Sequence, residues 1–147
     1  MPLLLLLLTT AGCGHGLGPV EPGTTGLEGT VTLVGSWPPD TQLVGVALFA
    51  RPPMPGDLVL PAAFTSVSDT TLDSFDYRFG DVRAGSYDYL VVAWLEKGVG
   101  LFDLESWVEL AVHEEPVLIT PGVVRRIDLV GDFSRVPGGT PGSGGGR

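Results

Sequence analysis

The sequence is poor in the residues from which disulfide frameworks, most catalytic sites and nucleic acid surfaces are built. Among its 147 residues it has one cysteine, Cys13, one lysine, Lys97, and two histidines, His15 and His113. A single cysteine cannot close an intramolecular disulfide, so a folded domain must be held together by packing alone. Eight basic residues stand against 17 acidic ones, and the net charge of −9 excludes the basic surface that nucleic acid phosphates require.

Long hydrophobic segments are also missing. The only leucine run covers residues 3–8, whereas a helix needs about 20 apolar residues to span a bilayer. Small residues follow at 9–12, a pattern typical of the apolar region and cleavage site of a signal peptide. We therefore predict a signal peptide at residues 1–12. The negative charge disfavours adsorption to anionic lipid headgroups, so any membrane association should be covalent.

The residues at the end of this leader, Thr10, Ala11, Gly12 and Cys13, resemble the lipobox of bacterial lipoproteins. The resemblance implies that the Cys13 sulfur takes a diacylglyceryl group and that Cys13 becomes the new N-terminus after cleavage. It further implies an exported protein, anchored by lipid in the cell membrane or outer membrane and facing the periplasm or the cell surface. Two alternatives are a plain signal peptide with a chance cysteine and a buried free thiol.

The leader departs from ordinary export signals in one respect. No lysine or arginine precedes Leu3, although such signals usually begin with a positive region. We expect that the start site is placed too late or that the reading frame is truncated.

Glycine and proline mark both ends of the mature chain. Residues 13–26 (CGHGLGPVEPGTTG) contain little to bury and predict a lipid-anchored flexible linker. Residues 134–147 are equally poor in apolar side chains and predict a disordered tail. The remaining residues 27–133 form the predicted domain, which is long enough to bury a core.

Short apolar or alternating runs, separated by turn residues, fill this domain. No long helical pattern lies between them, so parallel crossovers are not available. The runs cover residues 27–34, 42–50, 63–67, 74–79, 86–95, 107–112, 116–120 and 123–130. The pattern predicts an all-β fold, an antiparallel Ig-like or transthyretin-like β-sandwich of about seven strands.

One segment, residues 79–89 (FGDVRAGSYDY), resembles the F-x-x-V-x-x-G-x-Y signature of carboxypeptidase regulatory-like domains. Residues 29–32 and 120–129 are similar to the first and last strands of that family. The resemblance implies a transthyretin-like sandwich that serves as a non-catalytic accessory, carbohydrate-contacting or spacer module on exported proteins. The residues themselves suggest that Gly85 allows a tight turn and that Tyr87 buries its ring while its hydroxyl bonds to the backbone.

Catalysis and metal binding find little support in the sequence. His113 is the only histidine in the predicted domain, and no Gly-x-Ser-x-Gly elbow accompanies it. A small exported hydrolase using His113 is the alternative to our expectation of a non-enzymatic protein. Asp69, Asp73 and Asp76 could bracket a calcium-binding loop, but their spacing is not that of an EF-hand. We expect no cofactor and no metal.

The run at residues 86–95 is apolar on both faces. If Tyr87 points into the core and the strand is regular, then Leu90, Val92 and Trp94 point outward. Residues 98–108, which contain Phe102 and Trp107, either fold back over this stripe or leave it exposed as a binding patch.

Trp37 lies in a predicted loop, where its indole could stack on a sugar or plug the core. The candidate ligand or partner surface therefore comprises Trp37, Leu90, Val92, Trp94, Phe102 and Trp107. The predicted function is a non-catalytic, lipid-anchored accessory or interaction domain of the cell envelope, in contact with a protein or polysaccharide partner. A carbohydrate-binding module is a further alternative.

Overall fold

A computed structural model describes residues 25–139, and this part of the chain is all-β. Cys13, the predicted signal peptide and most of the linker lie outside the described residues, as does the tail from residue 140. The strands are β1 Gly26–Val34, β2 Thr41–Phe49, β3 Ala63–Val67, β4 Ser74–Gly80, β5 Gly85–Tyr87, β6 Tyr89–Glu96, β7 Val108–His113, β8 Val117–Ile119, β9 Val124–Arg126 and β10 Leu129–Asp132. Short 3₁₀ turns occupy Leu104–Ser106 and Phe133–Arg135.

The strands form two four-stranded sheets and a small third one. In the first sheet, β1 pairs with β4 antiparallel and with both β9 and β10 parallel. The second sheet has the order β3-β2-β6-β7 and is antiparallel throughout. Strands β5 and β8 pair separately. The predicted β-sandwich is confirmed, with more and shorter strands than expected and with parallel pairing along β1.

The main core lies between the two large sheets. Strand β4 shows how the sequence builds it, since Phe75, Tyr77 and Phe79 are buried while Asp76 and Arg78 point to solvent. This alternation follows from the two-residue period of a strand with one wet face. The core also receives Leu27, Val31, Leu33, Val44, Val46, Leu48, Leu90, Val92, Trp94, Leu110, Leu129 and Phe133. A chain with one cysteine has no internal disulfide, so the burial of these apolar side chains is the main source of stability.

The segment around Ile127, near the C-terminal end of the domain, crosses close to β1 at its N-terminal end. The Ile127 N–H donates to the carbonyl oxygen of Glu28 (2.9 Å), and the Ile127 carbonyl accepts a bond from the Tyr77 hydroxyl (2.7 Å). Only glycine fits at position 29, opposite Ile127, because a Cβ there would overlap the Ile127 carbonyl oxygen and approach Tyr77 Cε1 to 2.8 Å. Burial of the Tyr77 ring raises the pKa of its hydroxyl well above the ordinary value.

The predicted strand at residues 86–95 is in fact two strands. Tyr87 ends β5 and pairs with β8, whereas Tyr89 begins β6 in the large second sheet. Between the two strands, the N–H of Asp88 donates a hydrogen bond to the carbonyl of Ala50 (3.2 Å). The alternation of side chains does not continue through this break, so the predicted facing of β6 was wrong. Leu90, Val92 and Trp94 point into the main core and not outward.

The folded domain also continues past its predicted end. Phe133 is fully buried, and Val136 retains only 3% of its exposure. The Asp132 side chain accepts a hydrogen bond from the Ser134 N–H (2.8 Å) and caps the last turn, which lowers the pKa of that carboxyl group. The prediction that the tail begins at residue 134 was therefore wrong for residues 134–136, which belong to the folded domain.

Candidate functional site

The outer face of the β3-β2-β6-β7 sheet carries a second, smaller apolar cluster. It consists of Ala47, Phe49, Val91 and Ala93, all buried. Strands of an antiparallel sheet often keep one face in water, but β2 and β6 are apolar and buried on both faces, so the outer face also needs a cover. Two loops supply it, residues 50–62 between β2 and β3 and residues 97–107 between β6 and β7.

The predicted cover by residues 98–108 exists, but over the opposite stripe of β6. Leu104 and Trp107 pack against the cluster that contains Val91 and Ala93. The Trp107 ring also packs on Phe64 of β3, with 5.6 Å between ring centroids. The two loops are joined by a hydrogen bond from the Gly56 N–H to the Glu105 carboxylate (2.9 Å).

Between the loops lies a depression of about 250 Å³, which we call the apolar groove. Its lining is almost entirely hydrocarbon, with Phe49 and Trp107 at the sheet and Asp57 as the only charged contributor. The remaining lining residues are Leu58, Val59, Leu60, Pro61, Phe64, Leu101, Phe102 and Leu104.

Three residues of this groove and the neighbouring Met54 keep most of their side-chain surface in water. Their exposed fractions are 89% for Leu58, 71% for Phe102, 65% for Leu60 and 64% for Met54, the four highest among the large apolar residues that the structure describes. Met54, Leu58 and Phe102 also meet in an adjacent shallow depression. We call these four residues the apolar rim. Clustered exposure of this kind marks a binding surface, whereas single exposed apolar residues do not.

The acidic residues near the groove already have partners. Asp57 forms an ion pair with Arg51 (2.8 Å), and Asp103 accepts a hydrogen bond from the Ser106 hydroxyl (2.8 Å). The Glu105 carboxylate accepts a hydrogen bond from the Gly56 N–H. These contacts brace the two loops, and Asp57 neutralises Arg51, while the lining residues of the groove include no arginine, lysine or histidine.

A smaller cavity of about 120 Å³ lies beside Trp107 and is lined by Tyr89 and Glu109. The Tyr89 hydroxyl donates a hydrogen bond to Glu109, and burial together with this carboxylate raises the pKa of the Tyr89 hydroxyl. The Trp107 Nε1 atom is buried and has no hydrogen bond partner among the described residues.

A second concave surface, the aromatic cleft, lies at one end of the sandwich and encloses about 600 Å³. Trp37 and Trp94 line it, together with the acidic residues Asp40 and Glu96. Both indole N–H groups are already engaged, that of Trp37 with the Leu72 carbonyl and that of Trp94 with the Thr41 hydroxyl (both 2.8 Å). Serines 36 and 106 and residues 136–139 complete the wall.

The six candidate surface residues thus separate into three groups. Leu90 and Val92 belong to the core and cannot form a surface, and Trp94 is buried with only an edge at the aromatic cleft. Trp37 is half-buried and packs on Phe133, with 4.9 Å between ring centroids, so it plugs the core while also lining the cleft. Phe102 and Trp107 line the apolar groove.

Sequence reasoning missed Leu58 and Leu60, which line the groove, and Met54, which lines the adjacent depression. The signal was present, because the segment 51–62 (RPPMPGDLVLPA) keeps four large apolar residues inside a proline-rich stretch that cannot form a regular strand. Apolar residues without a predicted core position are candidates for a cover or a contact surface.

The remaining polar candidates stay apart. His113 ends β7, and its Nε2 atom is buried without a hydrogen bond partner in the described residues. Asp69 bonds to the N–H (3.0 Å) and hydroxyl (2.6 Å) of Thr71, and these bonds lower the pKa of its carboxyl group. Within residues 25–139, no three His, Cys, Asp or Glu side chains come together in a way that could hold a metal ion.

None of the described helical turns is long and apolar enough to cross a membrane. No protein-family model, no curated protein and no solved structure matches this chain.

Proposed function

We propose that this protein is a non-catalytic interaction domain of the cell envelope, anchored by lipid on Cys13, which binds an apolar partner through the apolar groove. One observation carries the proposal: of the four most exposed large apolar side chains of the described residues, three line one groove and the fourth, Met54, lines the depression beside it. Holding such side chains in water is unfavourable by about 25 cal/mol per Å² of apolar surface, so a partner that covers them gains free energy.

Support for the anchor comes from the sequence. The lipobox-like residues that end at Cys13 directly follow the apolar leader. A lipoprotein with a small β-sandwich also agrees with the resemblance to carboxypeptidase regulatory-like domains, which we retain as part of this proposal. Two or more acyl chains give a stable membrane anchor without any spanning helix.

Support for a non-catalytic role comes from the surroundings of His113. A serine hydrolase requires a serine hydroxyl bonded to one imidazole nitrogen and an orienting carboxylate on the other. The Nε2 atom of His113 has no partner in the described part of the chain. A His113→Ala variant should therefore keep every activity of the protein. Loss of a measured hydrolytic activity at unchanged thermal stability would support the hydrolase alternative.

The groove is tested with the neutral apolar dye Nile red on the full-length chain. We expect fluorescence enhancement with the parent protein and a weaker response from a Leu58→Ser/Phe102→Ser double variant. The matched control is Leu118→Ser/Val130→Ser, which changes two comparably exposed apolar residues away from the groove. Equal dye binding by both double variants would show that the groove is not a binding surface.

The anchor is tested separately. Expressed behind an export-competent positive region, the protein should partition into detergent, and its intact mass should include a diacylglyceryl group. Cys13→Ser should abolish both. An unmodified Cys13 on protein extracted from membranes would contradict the lipoprotein assignment.

A second function, carbohydrate binding, is favoured by the aromatic cleft. Its volume of about 600 Å³ suits a small ligand. The half-buried Trp37 ring lies beside two carboxylates and two serine hydroxyls, a combination of apolar surface and hydrogen bond acceptors that sugars require. A glycan array probed with the parent chain and with Trp37→Phe and Asp40→Asn variants tests it, and absence of any glycan signal from the parent chain rejects it.

A further inference from the structure

We propose that the partner of the apolar groove is the hydrocarbon of a neutral lipid bilayer, the same membrane that holds the anchor. The domain then lies on the membrane with the loops 50–62 and 97–107 against the lipid. This inference rests on the proposed function, because it names the apolar partner of the same groove.

The shape of the site favours a fluid phase over an enclosed ligand. At about 250 Å³ the groove lies below the usual range of pockets that enclose a small molecule, about 300–1,000 Å³. Leu58 and Phe102 line the groove, yet 89% and 71% of their surfaces are exposed, so most of each side chain faces solvent. Clustered apolar side chains that face solvent can enter the boundary between headgroups and acyl chains, as the apolar face of an interfacial helix does.

Charge selects the kind of lipid. The acidic residues beside the groove are already paired with Arg51, the Gly56 N–H and the Ser106 hydroxyl. The one lysine, Lys97, begins the second loop but bonds to the Pro39 carbonyl and does not line the groove. A net charge of −9 repels anionic headgroups, whose attraction requires clustered lysine and arginine. Contact is therefore expected with zwitterionic lipid, through hydrocarbon and not through headgroup charge.

The position of the tether allows this face to reach the bilayer. Strands β1 and β2 are joined by a short loop, so the start of β1 at Gly26 lies at the same end of the sandwich as Phe49, where the 50–62 loop begins. The 97–107 loop begins at the other end, beside Thr41, and meets the first loop over the sheet face. The chain between Cys13 and Thr25 extends at most about 40 Å. A tether of this length raises the effective concentration of lipid at the groove to the millimolar range, so a contact of low intrinsic affinity is populated.

Tryptophan quenching by lipids brominated on the acyl chain tests the contact, because Trp107 lies in the groove whereas Trp37 and Trp94 line the aromatic cleft. Mature acylated protein, its acylation verified by intact mass, is reconstituted in phosphatidylcholine vesicles with and without the brominated lipid. We expect quenching of part of the emission, with the quenched component lost in Trp107→Phe.

Variants then assign the contact to the apolar rim. The double variant Leu58→Ser/Phe102→Ser should reduce the equilibrium constant for contact between the domain and the lipid about tenfold or more. Leu118→Ser/Val130→Ser should leave the quenching unchanged. Replacing half of the phosphatidylcholine with phosphatidylglycerol should lower the quenching of Trp107.

Several outcomes overturn the inference. One is quenching that persists in Trp107→Phe or is equal in both double variants, and another is stronger quenching with phosphatidylglycerol. A rim-dependent change of oligomeric state in detergent, without quenching in vesicles, assigns the groove to a second copy of the chain instead. If Nile red reports the groove but brominated lipid does not quench Trp107, the proposed function stands and the membrane contact fails.

Discussion

Tyr87 and Leu90 are three positions apart, yet both side chains point into the same core, with 8% and 0% of their surfaces exposed. In a regular strand, residues separated by an odd number of positions point to opposite faces. The chain leaves the small β5–β8 sheet at Tyr87 and enters the large sheet at Tyr89, and the change of direction at Asp88 resets the alternation. After this break, Val91 and Ala93 lie in the outer cluster, against which Leu104 and Trp107 of the groove pack.

Removal of the Tyr87 hydroxyl should destabilise the protein slightly, and removal of the whole ring should destabilise it strongly. The hydroxyl donates to the Arg83 carbonyl (2.7 Å) in a partly buried position, so Tyr87→Phe should lower the free energy of unfolding by about 1 kcal/mol. Tyr87→Ala should lower it by about 3–5 kcal/mol. Urea denaturation measures both, and a Tyr87→Phe variant as stable as the parent would show that the Arg83 carbonyl bonds equally well to water.

Leu90 and Phe102 should respond to alanine in opposite ways, although both were predicted to belong to one surface. Leu90 is fully buried, so Leu90→Ala should lower the free energy of unfolding by about 2–5 kcal/mol. Phe102 is exposed, so Phe102→Ala should change it by less than about 0.5 kcal/mol and reduce Nile red binding instead. Thermal unfolding and dye titration of the two variants decide this, and a stable Leu90→Ala protein would contradict the inward facing of β6.

Gly29→Ala should damage the crossing of Ile127 over β1. The new methyl group would overlap the Ile127 carbonyl, which is held by its bond from Tyr77, so we expect a loss of about 1–3 kcal/mol or more. Gly80→Ala is the matched control, because a Cβ there meets nothing within 4 Å, and its effect should stay within about 1 kcal/mol. Chemical denaturation of the pair measures the difference. Equal stabilities would mean that the crossing relaxes freely.

Acid should weaken the fold through carboxylates that accept hydrogen bonds. The bond from the Thr30 N–H (2.8 Å), and then the Arg126 side chain, lower the pKa of Asp128 in the folded protein. In the unfolded chain the pKa of this aspartate is near 3.9, so on acidification the unfolded chain binds the proton before the folded protein does. The Asp128 carboxylate therefore stabilises the fold above about pH 3.9, and this stabilisation is lost as the pH falls below it.

The comparison with Asp128→Asn isolates this effect. The parent should be more stable than the variant at pH 6, and the difference should shrink steadily towards pH 3. A difference in unfolding free energy that is independent of pH would show that the Asp128 carboxylate contributes nothing through its charge.

The sequence alone determined the class of fold and several local details. Alternation in residues such as Phe75, Tyr77 and Phe79 depends only on the two-residue period of a strand and the need to bury aromatic surface, so it is readable without coordinates. The same holds for the buried ring and backbone-bonded hydroxyl of Tyr87, which follow from its place after a turn in a sandwich. These features are set by neighbours in the sequence.

The facing of β6 and the position of the groove were decided by tertiary structure. Residues 86–95 are apolar on both faces, so their pattern fits either facing equally well, and the break at Asp88 arises from pairing with β8 and β2, which are distant in the sequence. The groove requires two loops, 50–62 and 97–107, to meet over the same sheet. A periodic pattern reports which residues are apolar, but only long-range pairing determines which apolar side chains are covered and which remain in water.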